Sequence, residues 1–233
     1  KALESSCATK ILVDHHEKPD YAFFDVVISQ PTISSASELS FWLGMQAWGK
    51  DSFDQDVATC FYTGICTDTG SFAYSCDEPS LYEAVGYLMQ YDVKGATIHN
   101  LIFNTFSVNR MRLLGYCISE RLKIFEAEHF AYFYLSNEDQ KRFEALPGDL
   151  EVIVNYTLMM KNIEVGAFVK ETSDGKVRIS FRSKFQFNVN EFARKHFNGG
   201  GHVKAAGATS PYDFETTVKM VETLLREELS KNK

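Results

Sequence analysis

The chain has 233 residues, 45% of them hydrophobic and 24% charged, with a formal net charge of −7. That length buries a real core in one large domain or two small ones, and the composition is ordinary for a globular protein. The negative balance argues against a general basic face for long duplex nucleic acid; with no apolar run of membrane-spanning length and no visible signal peptide, the cytoplasm is the expected compartment.

The five cysteines (Cys7, Cys60, Cys66, Cys76, Cys117) are odd in number and form no C-x-x-C pair, which suits a reducing compartment and argues against a zinc ribbon. The chain opens on Lys1 rather than Met and runs almost at once into structure, so an upstream portion of the native polypeptide is expected to be absent.

Lys10 to Val13 reads as a buried strand, and it runs straight into Asp14-His15-His16. Asp and His are ligands for Mn2+, Zn2+ or Fe, and adjacent residues of an extended segment point to opposite sides. One imidazole could bind metal while its neighbour faces substrate; the plain alternative is a strand end where Asp14 caps a turn. Pro19-Asp20 makes a turn, and Tyr21 to Ile28 is a second apolar run of edge character. Ser35 with Glu38 has the spacing of a capping box, and the helix that follows carries Leu39, Trp42, Leu43 and Ala47 as core positions.

Asp56 to Ile65 is apolar at helical spacing and feeds Thr67-Asp68-Thr69-Gly70, read as a tight loop. There Thr67 and Thr69 could orient the Asp68 carboxylate, with an Asx-type turn as the alternative. Helices are expected over 80–91, 93–103 and 107–129, the last a bridge between domains, with His99 and His129 ordinary. From Phe130 the texture changes. Strands are expected at 131–135, 152–158, 164–170 and 177–182. Ser136 or Asn137 caps a short helix, Asn188 or Asn190 caps another through Phe197, and an amphipathic helix closes the chain over 214–229.

Gly199-Gly200-Gly201-His202 carries three consecutive glycines, which are costly in chain entropy. Bare N–H groups beside an imidazole suit an anion nest, and Arg182 with Ser183 and Lys184 could add a phosphate clamp. The alternative is a sharp helix-to-strand connection in which glycine permits close packing.

Asp14-His15-His16, Asp68 in Thr-Asp-Thr-Gly, and Gly199-Gly200-Gly201-His202 followed by Ala205-Ala206-Gly207 resemble, in this order, the DHH/DHHA1 phosphoesterase superfamily. The closest look is to its bacterial oligoribonuclease and 3′-phosphoadenosine-5′-phosphate phosphatase branch, which Phe181-Arg182-Ser183-Lys184 and Val189-Asn190 also resemble. The resemblance covers essentially the whole chain. It implies an α/β protein: the C-terminal part of a parallel-sheet DHH domain over 1–106, N-terminally incomplete, a linker helix over 107–129, and a smaller α+β DHHA1 domain over 130–233.

By that resemblance His15 and Asp68 would ligate one Mn2+ of a two-metal site, with Mg2+ or Co2+ as substitutes. Asp14 would support the ligand set, and His16 would face the scissile phosphate. Arg182, Ser183, Gly199, Gly200, Gly201 and His202 would grip a short RNA or nucleotide. The family's upstream acid-rich metal motif and a further bridging Asp have no counterpart here, so this chain as written is expected to bind metal poorly and to be inactive. Related alternatives are a pyrophosphatase or exopolyphosphatase and a RecJ-type exonuclease; a different class is a non-catalytic nucleotide-binding module. The apolar helix after Ser35 could serve a homodimer.

Overall fold

The computed structural model describes residues 3–17 and 19–231; Lys1, which carries the expectation of an absent upstream portion, lies outside them. The chain divides into two units, Lys1–Thr105 and Phe106–Lys233. The second unit includes residues 107–129, expected as a linker, together with 130–233.

In the first unit, β1 (Ile11–Asp14) pairs in parallel with β2 (Val26–Ser29), in the register Ile11↔Val26 to Asp14↔Ser29. The expected buried strand is only half-buried: Ile11 is 58% exposed, because β2 is the one strand beside β1 among the described residues. The helix α1 (Ala36–Trp48) begins where Ser35 accepts from the Glu38 N–H. The reciprocal arm of the capping box is displaced by one residue, since the Glu38 carboxylate accepts from Ser34 N–H rather than from Ser35. Next come α2 (Gln55–Asp68), α3 (Pro79–Leu88) and α4 (Gly95–Phe103). Phe41, Tyr62, Ile65, Leu81, Leu88 and Ile98 interlock as their shared core.

The second unit opens on α5 (Val108–Glu120), capped by Ser107. The expected helix to His129 stops at Glu120, and β3 (Leu122–Phe125) follows, pairing antiparallel with β4 (Phe130–Leu135). Over Leu122–Phe125 the apolar residues fall at 122, 124 and 125, and so short a run at the end of a helical pattern also fits its continuation. Ser136 forms a full capping box with Asp139 at the start of α6 (Asn137–Arg142).

The strand expected over 152–158 does not form. Val152 adopts a left-handed φ of 59°, Ile153 and Val154 are buried against Phe133 and Phe168, and the short α7 (Asn155–Leu158) follows. A brief apolar run does not distinguish strand from buried turn. Next come β5 (Val165–Glu171), β6 (Val177–Ser183), α8 (Val189–Phe197, capped by Asn188), β7 (Gly200–His202), β8 (Ala205–Ser210) and α9 (Phe214–Ser230).

The six strands form one mixed sheet in the order β3-β4-β5-β6-β8-β7. Alternation sends Tyr132, Ala167, Ile179 and Phe181 to one face, under α8 and α9, where Phe192, Phe197, Val221 and Leu225 pack on them. Phe133, Leu135 and Phe168 face the other way, against Leu113 and Cys117 of α5 and Leu150.

Candidate functional site

In the first unit, β1 delivers Asp14 and His15 to one end of the parallel pair, where ligands bind in open α/β sheets. The Asp14 Oδ1 accepts from the His15 N–H at 2.8 Å, from the His16 N–H at 3.1 Å and lies 2.7 Å from His16 Nδ1. Burial pulls this carboxyl upward, but the His16 side-chain and backbone bonds and the His15 bond outweigh it and hold Asp14 below its ordinary value. Asp14 therefore orients the His16 imidazole and fixes the backbone N–H groups of His15 and His16. His15 is buried and His16 exposed, with their rings edge to face at 76°.

His15 Nε2 lies 3.1 Å from Asp68 Oδ2, which closes the circle between β1 and the last residue of α2. Its other ring nitrogen faces the Ile33 carbonyl at 3.4 Å. A carbonyl oxygen can only accept, so Nδ1 carries the proton and Nε2 meets the carboxylate with a lone pair in the neutral ring. Two facing lone pairs are satisfied by a shared proton or a shared cation. The Asp68 bond, working against burial, raises the His15 pKa. A separation of 3.1 Å is also the edge expected between neighbouring ligands in an octahedron with bonds of about 2.1 Å. His15 and Asp68 thus fit a divalent cation, although two side chains are a partial ligand set.

The Thr-Asp-Thr-Gly segment is not a loop around Asp68: Thr67 and Asp68 close α2, and the turn begins at Thr69-Gly70. The two threonines do not orient the carboxylate. Thr67 Oγ1 bonds the Thr63 and Gly64 carbonyls, and the buried Thr69 Oγ1 bonds the Ile65 carbonyl while accepting from the Phe72 N–H. Both hydroxyls serve the helix end. The Ile33 carbonyl, which sets the His15 tautomer, carries no side-chain signal and is invisible in sequence.

In the second unit, Arg182, Ala205 and His202 occupy one cross-strand row of β6, β8 and β7, so their side chains share a sheet face with only Ala205 between them. Ser183 belongs to the opposite face: it is buried, and its hydroxyl donates to the Phe187 carbonyl at 2.7 Å. Lys184 Nζ is held by the Met160 carbonyl. Both tie down the 183–188 turn.

The glycines form an edge strand rather than a nest of bare N–H groups. The Gly199 N–H closes α8 on Ala193, and Gly200 and Gly201 pair with Gly207 and Ala206. Added Cβ atoms at Gly199 and Gly201 would lie 2.3 Å and 2.4 Å from the Gly207 and Ala205 carbonyl oxygens, and Gly201 has a φ of 144°. At Gly200 the nearest neighbour is the Arg194 guanidinium, at 3.3 Å. Close packing accounts for two of the three. Among the described residues, no helix is long and apolar enough to cross a membrane.

Residues 128–227 match the DHHA1 domain family. A probable bifunctional oligoribonuclease and PAP phosphatase NrnA of Streptococcus mutans is 32% identical over 200 residues, 86% of this chain and 62% of that protein. The bifunctional oligoribonuclease and PAP phosphatase NrnA of Bacillus subtilis is 28% identical over 95% of this chain and 70% of its own length. A crystal structure of an exopolyphosphatase-related protein from Bacteroides fragilis is similar with a TM-score of 0.89 at 34% identity, covering 97% of this chain and 66% of that one. The chain thus spans 62–70% of these relatives.

Proposed function

We infer that the chain belongs to the DHH/DHHA1 superfamily of phosphoesterases, and from that premise we propose that its native protein hydrolyses short oligoribonucleotides, linear dinucleotides or 3′-phosphoadenosine-5′-phosphate with divalent metal. The observation that carries this reading is the 3.1 Å approach of His15 Nε2 to Asp68 Oδ2 beside Asp14 and His16. It is supported by relatives whose names state oligoribonuclease and PAP phosphatase activity.

His15 and Asp68 would hold Mn2+, and Asp14, through its bonds to His15 and His16, would fix their approach. When bound, the metal lowers the pKa of water and offsets charge on the phosphoryl oxygens. The exposed His16 faces outward from the same strand end, where it can donate a hydrogen bond to the scissile phosphate or hold a proton for the departing oxygen. Its bond with Asp14 sets the ring orientation for that role. Arg182 and His202, on one sheet face of the second unit, would grip a nucleotide phosphate.

Two side chains fall short of what a two-metal site requires, so this chain on its own is expected to turn over poorly. Hydrolysis of a 5′-phosphorylated dinucleotide with Mn2+ tests both statements. The native protein should release mononucleotides and a His16→Ala variant should lose that release by two orders of magnitude or more, on the order of the general acid–base contribution. Tight dinucleotide binding without release would favour a non-catalytic module. Robust turnover by these 233 residues alone would overturn the second statement.

A further inference from the structure

On β6, Arg178, Ser180 and Arg182 alternate outward, away from Val177, Ile179 and Phe181 in the core. A hollow of about 550 Å3 lies over this face, lined among others by Lys170, Arg178, Ser180, Asn198, Gly207 and Thr209, and no carboxylate lines it. Lys170 and Arg178 are direct cross-strand partners. Like charges placed opposite one another destabilise a sheet. Burial and the Arg178 charge both lower the Lys170 pKa, against a weaker pull from Glu151. Among the described residues neither cation has a side-chain hydrogen bond or ion pair.

Gly207 adds an independent observation. Its added Cβ would meet nothing nearer than the Ile179 carbonyl oxygen at 3.8 Å, so packing does not require glycine there. A side chain at that place would instead fill the hollow. Two unpaired cations, two hydroxyls and a bare strand are the surroundings that anions prefer.

We propose that the Lys170–Arg178 hollow is a second phosphate subsite, taking a backbone phosphodiester of a single-stranded oligonucleotide beyond the nucleotide held at Arg182. This rests on the phosphoesterase reading above. Arg178 and Arg182 stand four residues apart on one strand face, about 13 Å, so a chain of a few nucleotides laid along β6 meets both. The strand thereby measures substrate length: a dinucleotide engages the Arg182 end, and a longer oligomer also fills the hollow.

The test is equilibrium binding of 5′-phosphorylated di- and tetranucleotides to the 233-residue chain in chelator, so that hydrolysis plays no part. A Lys170→Gln/Arg178→Gln variant should bind the tetranucleotide about tenfold more weakly, with a salt slope shallower by about 0.7 for each phosphate it no longer neutralises. Dinucleotide affinity should stay within twofold. Melting should be no lower than wild type, since the cross-strand repulsion is gone; a lower melting temperature would assign the pair a structural role and overturn the proposal. So would equal weakening of both oligomers, or of neither. Loss of inorganic phosphate binding with unchanged tetranucleotide binding would assign the hollow to a free anion instead. Wild type binding the dinucleotide as tightly as the tetranucleotide would sink this subsite alone, and the phosphoesterase reading is decided separately by mononucleotide release with Mn2+.

Discussion

Asp139 is buried in the second unit, and a carboxylate keeps its charge there only if donors surround it. Arg121 approaches through Nε and Nη2 at 3.0 and 2.9 Å, the Tyr116 hydroxyl lies at 2.7 Å, and Ser136 donates from both N–H and Oγ. Burial alone would raise the pKa, but the Arg121, Tyr116 and Ser136 bonds together bring it down to about 2 from an ordinary 3.8. A depressed folded-state pKa gives stability that is present above the unfolded value and is lost as pH falls through the folded one. The gap between those two values corresponds to about 2 kcal/mol, lost between pH 4 and pH 2. Asp139→Asn should cost about 2 kcal/mol at pH 7 and flatten the acid limb of a urea-denaturation series. An unchanged acid limb would mean that other groups set it. The cap was legible: Ser136 stands three residues before Asp139 in the sequence. The Arg121 fork was not, because it depends on α5 ending at Glu120 rather than running on.

At the scale of elements, glycine has opposite meanings in different places. Gly115 lies within α5 and an added Cβ would meet nothing within 4 Å, so Gly115→Ala should stabilise by about 0.5–1 kcal/mol through helix propensity. Gly201→Ala should destabilise by about 2 kcal/mol or more, since its Cβ would overlap backbone and its φ is one L-residues rarely adopt. Chemical denaturation of the two variants checks the pair; matched signs would refute the assignment. The elements themselves were largely legible where period and caps agreed, as for α1 after Ser35, α8 after Asn188 and α9. They were illegible at Leu122–Phe125 and 152–158, where brief apolar runs fit more than one state and tertiary burial decided. The glycine run was legible as a backbone requirement. That the requirement came from a hairpin packed against Gly207 and Ala205 needed the register of β7 and β8. Likewise Asp68 was identifiable as a candidate ligand, while the service of its threonine neighbours to the helix end was not.

Each unit has its own core, so a ligand held by one unit should stabilise that unit in particular. The two tryptophans, Trp42 and Trp48, both lie in α1, and indole fluorescence therefore reports the first unit alone. Far-ultraviolet circular dichroism reports helices and strands of both. Mn2+ held by His15 and Asp68 would tie the end of β1 to the end of α2, two segments separated by more than fifty positions in the chain. At a free concentration one hundred times its dissociation constant, such an ion adds about 2.7 kcal/mol to the unit that binds it. Heating should then show the fluorescence transition moving up with Mn2+ and returning on chelation. The part of the dichroism transition that fluorescence does not follow should stay in place. His15→Gln should abolish the shift, because the amide cannot substitute for the imidazole nitrogen in a pair only 3.1 Å wide. A shift that survives His15→Gln would move the metal elsewhere, and an equal shift of the dichroism signal from the second unit would show binding that is not confined to the strand end. Either result would detach the metal from Asp14-His15-His16 while leaving the phosphate face of β6 untouched.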